Sequence, residues 1–224
     1  MIPNTTFISG IDTDCGKTFV TGHIARNLQM QGHRVTTHKM VQTGCKGAAL
    51  DLLEHRRIMG ITLTEADVNG TSCPYVFTYP ASPHLAASLD GKTIDLEKIA
   101  HSMHQLASRF DIVLSEGAGG LMVPLTPTQT TFDFIQHHQL PLILVSSSKL
   151  GSINHTLLSL EACKMHNVCL RALVYNVFPD HDAVIARDTR NILKSALSET
   201  FPQACFVDSE QLITHKFDCS VLFP

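Results

Sequence analysis

Gly10 to Thr18 read "GIDTDCGKT", a pair of glycines flanking two acids and closing on a lysine and a hydroxyl. Those residue types suit a phosphate. Backbone N–H groups of a glycine loop cradle the anion, Lys17 reaches its outer oxygens, and the Thr18 hydroxyl suits Mg²⁺. Five residues stand between Gly10 and Gly16 where the usual phosphate loop has four, so this is a long variant. Asp12 and Asp14 would repel an anion and need a separate purpose.

Other segments carry chemistry of their own. "HKMVQTG" sets Lys39 at a strand end, either as a solvated charge or as the partner of a second anion, since neighbouring ammonium groups repel unless a dianion lies between them. "SEGAGG" offers Glu116 before a glycine turn of Gly117, Ala118, Gly119 and Gly120. An acid there can hold Mg²⁺ or its water shell, and small residues admit a close ligand; the alternative is an exposed turn with an incidental acid. Asp51 opens a helical pattern as a metal-side carboxylate or as an acid favoured by the helix dipole. In "SSSKLGSINH", Ser152, Ile153 and Asn154 stand at a helix entrance, whose N–H groups can receive a carboxylate or can be capped by Ser152 or Asn154.

These residues need a frame. Short apolar runs predict strands at about Thr6 to Ser9, Arg34 to Lys39, Asp111 to Ser115, Leu142 to Ser147, Arg171 to Asn176 and Cys205 to Asp208. Helices are expected at about Lys17 to Met30, Leu50 to Met59, Leu96 to Ser108, Phe132 to His138, Asn154 to Asn167 and Asp182 to Glu199. Runs such as "IVL" and "LILV" are continuous rather than alternating, as in strands covered on both faces. The expectation is a doubly wound, mostly parallel α/β sheet in one domain, 1–224, with ligands beyond the carboxyl ends of the strands.

Composition narrows the function classes. A formal charge of -3 over 224 residues gives no general field toward nucleic acid or anionic membrane. Seven cysteines without a CxxC pair argue against a disulfide framework or zinc ribbon and read as reduced thiols of a cytoplasmic protein. No basic leader precedes an apolar segment, and no apolar run has membrane-spanning length. Thirteen histidines include no HExxH pattern, so they read as ordinary surface or core residues.

Taken in order, the segments resemble the dethiobiotin synthetase family, ATP-dependent ring-closing enzymes of biotin synthesis. "GIDTDCGKT" matches GTDTxVGKT, "HKMVQTG" matches YKPVxSG, and "PYVFTYPASPHLAA" matches PYxFxxPxSPHxA. "EGAGG" followed by "PL" and "KLGSINHTLLS" for KLGxINHxLL complete the set, across Phe7 to Val177. The resemblance implies a reaction of 7,8-diaminopelargonate, CO₂ and ATP through an N-carbamate and a carbamic-phosphoric mixed anhydride. It implies catalytic roles for Lys17 and Lys39. Nucleotide contacts would come from Asp14, Cys15, Gly16, Lys17, Thr18, Phe19, Glu116, Gly117, Ala118 and Gly119, with Asn176 and Val177 at the adenine. Thr13 and Thr43 would meet the diamine or its carbamate, and Thr18, Asp51 and Glu116 would hold Mg²⁺. Ser152, Ile153 and Asn154 would receive the substrate's tail carboxylate across a homodimer interface. Asp12 and Asp14 would then serve the Mg²⁺ water shell and the cationic diamine.

Departures from the family pattern are specific. Met40 replaces a proline, the stretch from Lys39 to Asp51 is shorter, which makes Glu54 an alternative to Asp51, and residues 201–224 lack the family's proline-containing nucleotide loop. A nucleotide-switch ATPase of the partitioning type is the rival reading. It lacks support from Ile11, Asp12 and Thr13, which stand where such proteins carry a signature lysine. A cobyrinate-type amidating synthetase would need a glutaminase partner.

Overall fold

The computed structural model describes residues 2–177 and 182–223. The chain begins with β1 (Thr5–Gly10), α1 (Lys17–Met30), β2 (Val35–Lys39), α2 (Leu50–Met59), α3 (Glu65–Val68), α4 (Pro83–Leu89) and α5 (Leu96–Ala107). It continues through β3 (Ile112–Gly120), α6 (Thr131–His137), β4 (Leu142–Ser147), α7 (Ser152–Met165), β5 (Leu170–Asn176), α8 (Ala183–Thr200), β6 (Cys205–Asp208) and α9 (Ser209–Ile213), with a closing 3₁₀ turn at Cys219–Leu222. Six strands form one sheet in the order β2-β3-β1-β4-β5-β6. Every pairing is parallel.

Apolar runs predict two covered faces, and side chains do alternate between them. Phe7, Leu142, Leu144, Leu173 and Tyr175 face a core with α5, α6, α7 and α8. Ile8, Ile143, Val145, Ala172 and Val174 face the opposite core, with α1 and α9. The expected doubly wound architecture is therefore present. The strand order reverses around β1, so the loops after β1 and its neighbour β3 open at the switch point where ligands bind in such sheets.

Three local differences have physical reasons. The glycine run after Glu116 is not a turn: β3 continues through Gly120, which pairs with Gly10, and the register shift between Glu116 and Gly120 includes Gly119 at φ 68°. Helix α7 starts at Ser152 instead of Asn154, behind Gly151 in a left-handed conformation. The short helices α3, α4 and α9 are absent from the expected set: four and five residues are too few for a helical period to show in α3 and α9, and α4 opens on Pro83 in a stretch that reads as a loop. Among the described residues no helix is long and apolar enough to cross a membrane.

Helices α1 and α2 pack side by side, and the contact depends on a missing side chain. A Cβ at Gly22, in the middle of α1, would lie 2.8 Å from Ile58 Cδ1. Glycine costs about 1 kcal/mol against alanine inside a helix, and here it lets α2 approach the carboxyl ends of β2 and β3.

Candidate active site

The carboxyl ends of β1, β2 and β3 enclose a cleft of about 970 Å³. Thr13, Asp14, Gly16, Lys17, Thr18 and Phe19 line one side of it, and Lys39, Thr43, Asp51 and Glu54 another. Glu116, Ala118 and Gly119 lie between, while Pro80 to Pro83 close the far wall. The two lysines singled out by residue type thus share one cavity.

The loop after β1 is built for an anion. Gly16, the residue before α1, has φ 97°, and a Cβ there would fall 2.0 Å from Asn176 Nδ2. Asn176 donates that amide to the Cys15 carbonyl at 3.1 Å, tying the end of β5 to the loop. Lys17, buried in the loop, donates to the Asp12 carbonyl at 2.8 Å. Asp14 takes φ 55° and its carbonyl accepts from Lys149 Nζ at 3.1 Å. The carboxylate of Asp12 accepts the N–H of Thr13 at 2.7 Å, and Asp12 is not part of the cleft lining.

Glu116 is the hub. Fully buried, it accepts from Lys39 Nζ at 2.8 Å and Thr18 Oγ1 at 3.1 Å on one oxygen. Its other oxygen meets Thr21 Oγ1 at 2.8 Å and His55 Nε2 at 2.9 Å. Those four contacts match the four acceptor positions of a carboxylate. Burial alone would push its carboxyl up, but the Lys39 ammonium and then His55 hold it well below the ordinary range. Lys39 is held by three acceptors: Glu116, the Gly117 carbonyl at 2.8 Å and Asp51 at 2.5 Å. Burial would lower its pKa, and the carboxylates of Glu116 and Asp51 raise it instead. It remains a cation.

Asp51 is steered by two bonds: its own ion pair with Lys39, and a backbone N–H donated to Gln42 Oε1 at 3.1 Å. Glu54 lies on the cleft rim but is engaged by Arg57 at 2.7 and 2.6 Å. Asp51, not Glu54, joins the Lys39 cluster. Thr18, Asp51 and Glu116 supply hard oxygen atoms, and the Thr18 hydrogen is directed to Glu116, which leaves that oxygen's lone pairs available. Mg²⁺ takes one or two carboxylates and fills its remaining positions with water and phosphate oxygens, so Thr18 and Asp51 fit it as they stand, while Glu116 fits through the Thr18 hydroxyl it orients or by exchanging one of its four donors for the ion. Among the described residues no three His, Cys, Asp or Glu side chains form a metal cage.

Some expected site residues stand apart. Ser152, Ile153 and Asn154 do not line the cleft of their own chain, and the Ser152 hydroxyl is paired with Ser147 at 2.8 Å. Val177 is 37% exposed at the end of β5. Sequence reasoning missed Thr21, Gln42 and His55. The spacing of His55 four residues after Asp51, on one face of α2, was the available signal. Buried His38 is an ordinary core histidine, as expected: burial, then Lys39, pushes it down to about 3.

A family model described as an AAA domain matches residues 4–222. The ATP-dependent dethiobiotin synthetase BioD 2 of Pasteurella multocida is 52% identical over 200 residues, covering 89% of this chain and 94% of its own. The BioD 2 enzyme of Haemophilus influenzae is 55% identical over 181 residues, 81% of this chain and 95% of its own. This chain belongs to the dethiobiotin synthetase family. The BioD protein of Chlorobaculum tepidum, at 50% identity over 90% of this chain and 84% of its own, agrees. A solved ParA family ATPase from Chlorobium tepidum has a TM-score of 0.51 at 12% identity, over 98% of this chain and 90% of its own, which shows a common P-loop fold alone.

Within the dethiobiotin synthetase pattern, Met40 occupies the proline position. Its N–H donates to the Glu116 carbonyl at 3.0 Å, a bond proline cannot make. That bond closes the last pair of the β2–β3 ladder, Lys39 with Glu116.

Proposed function

We propose that this chain is an ATP-dependent dethiobiotin synthase, a cyclo-ligase that converts 7,8-diaminopelargonate and CO₂ to dethiobiotin with release of ADP and phosphate. The observation that carries this reading is the convergence of Lys17 and Lys39 on one cleft, with Glu116 bonded to Lys39 and Thr18. Two fixed cations suit two anions, a terminal phosphoryl group and a carbamate.

One amine of the substrate adds to CO₂ and loses a proton, giving the carbamate. A carbamate oxygen attacks the γ phosphorus, and the bond from that phosphorus to the β-γ bridging oxygen breaks to release ADP. The second amine then attacks the carbonyl carbon of the mixed anhydride, expels phosphate and loses a proton as the cyclic urea closes. No protein nucleophile is required. Lys17 exchanges the Asp12 carbonyl for phosphate oxygens, and Lys39 exchanges one of its three acceptors for the carbamate oxygen. Thr18, Asp51 and Glu116 would hold Mg²⁺, which would supply positive charge against the phosphates of the nucleotide. Holding both amines in one molecule makes ring closure intramolecular.

Backbone at Asp14 to Phe19 and at Gly117 to Gly119 cradles the nucleotide in this reading, with Asn176 and Val177 beside its base. Thr13 and Thr43 meet the carbamate end, and Asp14, which lines the cleft, favours the cationic diamine and the ion's water shell, while Asp12 lies outside the lining with its carboxylate on the Thr13 N–H. Ser152 to Asn154 of a second subunit receive the tail carboxylate, so the active form is a homodimer. We assign one catalytic domain to 1–224. Seven free thiols suit a cytoplasmic enzyme.

Purified protein incubated with Mg-ATP, bicarbonate and 7,8-diaminopelargonate should yield a cyclic urea detected by mass spectrometry, with one ADP per product. ATP hydrolysis stimulated by another protein but not by the diamine would defeat the reading.

A further inference from the structure

Glu116 is oriented by more than the two residues of the cleft that it touches. Its far oxygen is held by His55, fully buried on α2, through Nε2 at 2.9 Å. Nδ1 of the same ring lies 3.0 Å from Thr37 Oγ1 on β2. Arg56 Nη1 donates to that hydroxyl oxygen at 2.7 Å, and Arg56 is anchored by Asp67 through two bonds at 2.8 and 2.7 Å.

The chain of bonds has a direction. An arginine only donates, so Thr37 Oγ1 accepts from Arg56 and keeps its own hydrogen for an unprotonated His55 Nδ1, while at the other ring nitrogen the Glu116 carboxylate can only accept. A proton on Nε2 then points at Glu116. The other neutral tautomer would set the Nε2 lone pair against a carboxylate oxygen, which is repulsive. Thr37 and Lys39 alternate along β2 onto one face, and Asp51 and His55 repeat at helical spacing on α2, so the same two elements carry both the site residues and their support.

We propose that His55 is a positioning residue for the phosphoryl transfer: its Nε2–H holds one oxygen of Glu116, which turns the other toward Lys39 and Thr18. The inference rests on the functional reading given above. Supporting residues of this kind are worth about 10- to 100-fold in activity. His55→Gln keeps an amide N–H near the position of Nε2, whereas His55→Leu keeps apolar volume and loses the donor.

His55→Leu should lower kcat about 10- to 100-fold while KM for the diamine changes less than about twofold, and His55→Gln should recover most of the loss. A packing role predicts the reverse order, since leucine fills the core better than glutamine. Wild-type kcat in His55→Leu, or a glutamine variant no better than leucine, would overturn the proposal. Should the leucine variant not fold, ¹⁵N spectra of the wild-type histidine rings, with the His55 signals assigned by their loss in His55→Gln, must show the proton on Nε2. A proton on Nδ1 alone would also overturn it. This second reading needs no turnover, so a wild-type chain that makes no cyclic urea would count against the function while the tautomer still tests the chain of bonds.

Discussion

A lysine ammonium has three hydrogens, and at Lys39 three acceptors receive them. Lys39→Gln keeps a donor and removes the charge. We expect a folded protein that melts several degrees lower, because Glu116 keeps its other partners but loses its counter-ion, and a kcat reduced about 10²- to 10³-fold. Near wild-type turnover would contradict the role given to this residue. The loop glycine can be tested independently. Gly16→Ala brings a methyl group within 2.0 Å of Asn176 Nδ2 at a φ of 97°, so ATP affinity should fall at least about tenfold in a nucleotide titration. Unchanged affinity would mean that the loop has another way to hold phosphate. Lys17, Thr18, Lys39 and Glu116 were legible because loop spacing and strand ends give those residue types a meaning. His55 was not, since its one signal, the four-residue spacing from Asp51, takes on meaning only when packing places the ring against Glu116.

Elements are held to one another by a few buried polar contacts. The Arg56–Asp67 ion pair, with side chains only 3% exposed, joins α2 to α3, while Arg56 also reaches Thr37 on β2. Burial would raise the Asp67 carboxyl; the bonds from Arg56 and Thr64 overcome it and hold it at about 2, against an ordinary 3.8. The folded pKa is depressed, so the stabilisation is present above about pH 4 and is lost as pH falls toward 2. It amounts to about 2 kcal/mol. Asp67→Asn should lose roughly that much at pH 7 in urea unfolding, with the gap to wild type closing between pH 4 and 2. A gap that stays constant over that range would refute the assignment. Long periodic elements were the most legible: the expected Lys17 to Met30 and Leu50 to Met59 are the observed bounds of α1 and α2. Glycines misled the reading of β3, because a residue that usually breaks a strand here continues one beside the close-packed Phe7 ring.

At the scale of the molecule, one chain carries the two lysines but does not bring the entrance of α7 into the cleft. If a second subunit supplies that entrance, two individually inactive variants should complement. Mixing Lys39→Gln subunits with subunits altered at Ser152 to Asn154 should restore roughly a quarter of wild-type sites, the share in which an intact lysine meets an intact helix. No recovery after subunit exchange, or a monomer in sedimentation, would refute the shared site. A dimer is expected only through the family resemblance, because no periodicity within one chain encodes what a second copy covers. The parallel sheet has a further consequence for handling the protein. All strands point their carboxyl ends at the cleft, whereas Cys169, an exposed thiol just ahead of β5, sits on the other rim. A fluorophore or surface tether joined to that sulfur would report on the molecule from the side remote from its catalysis.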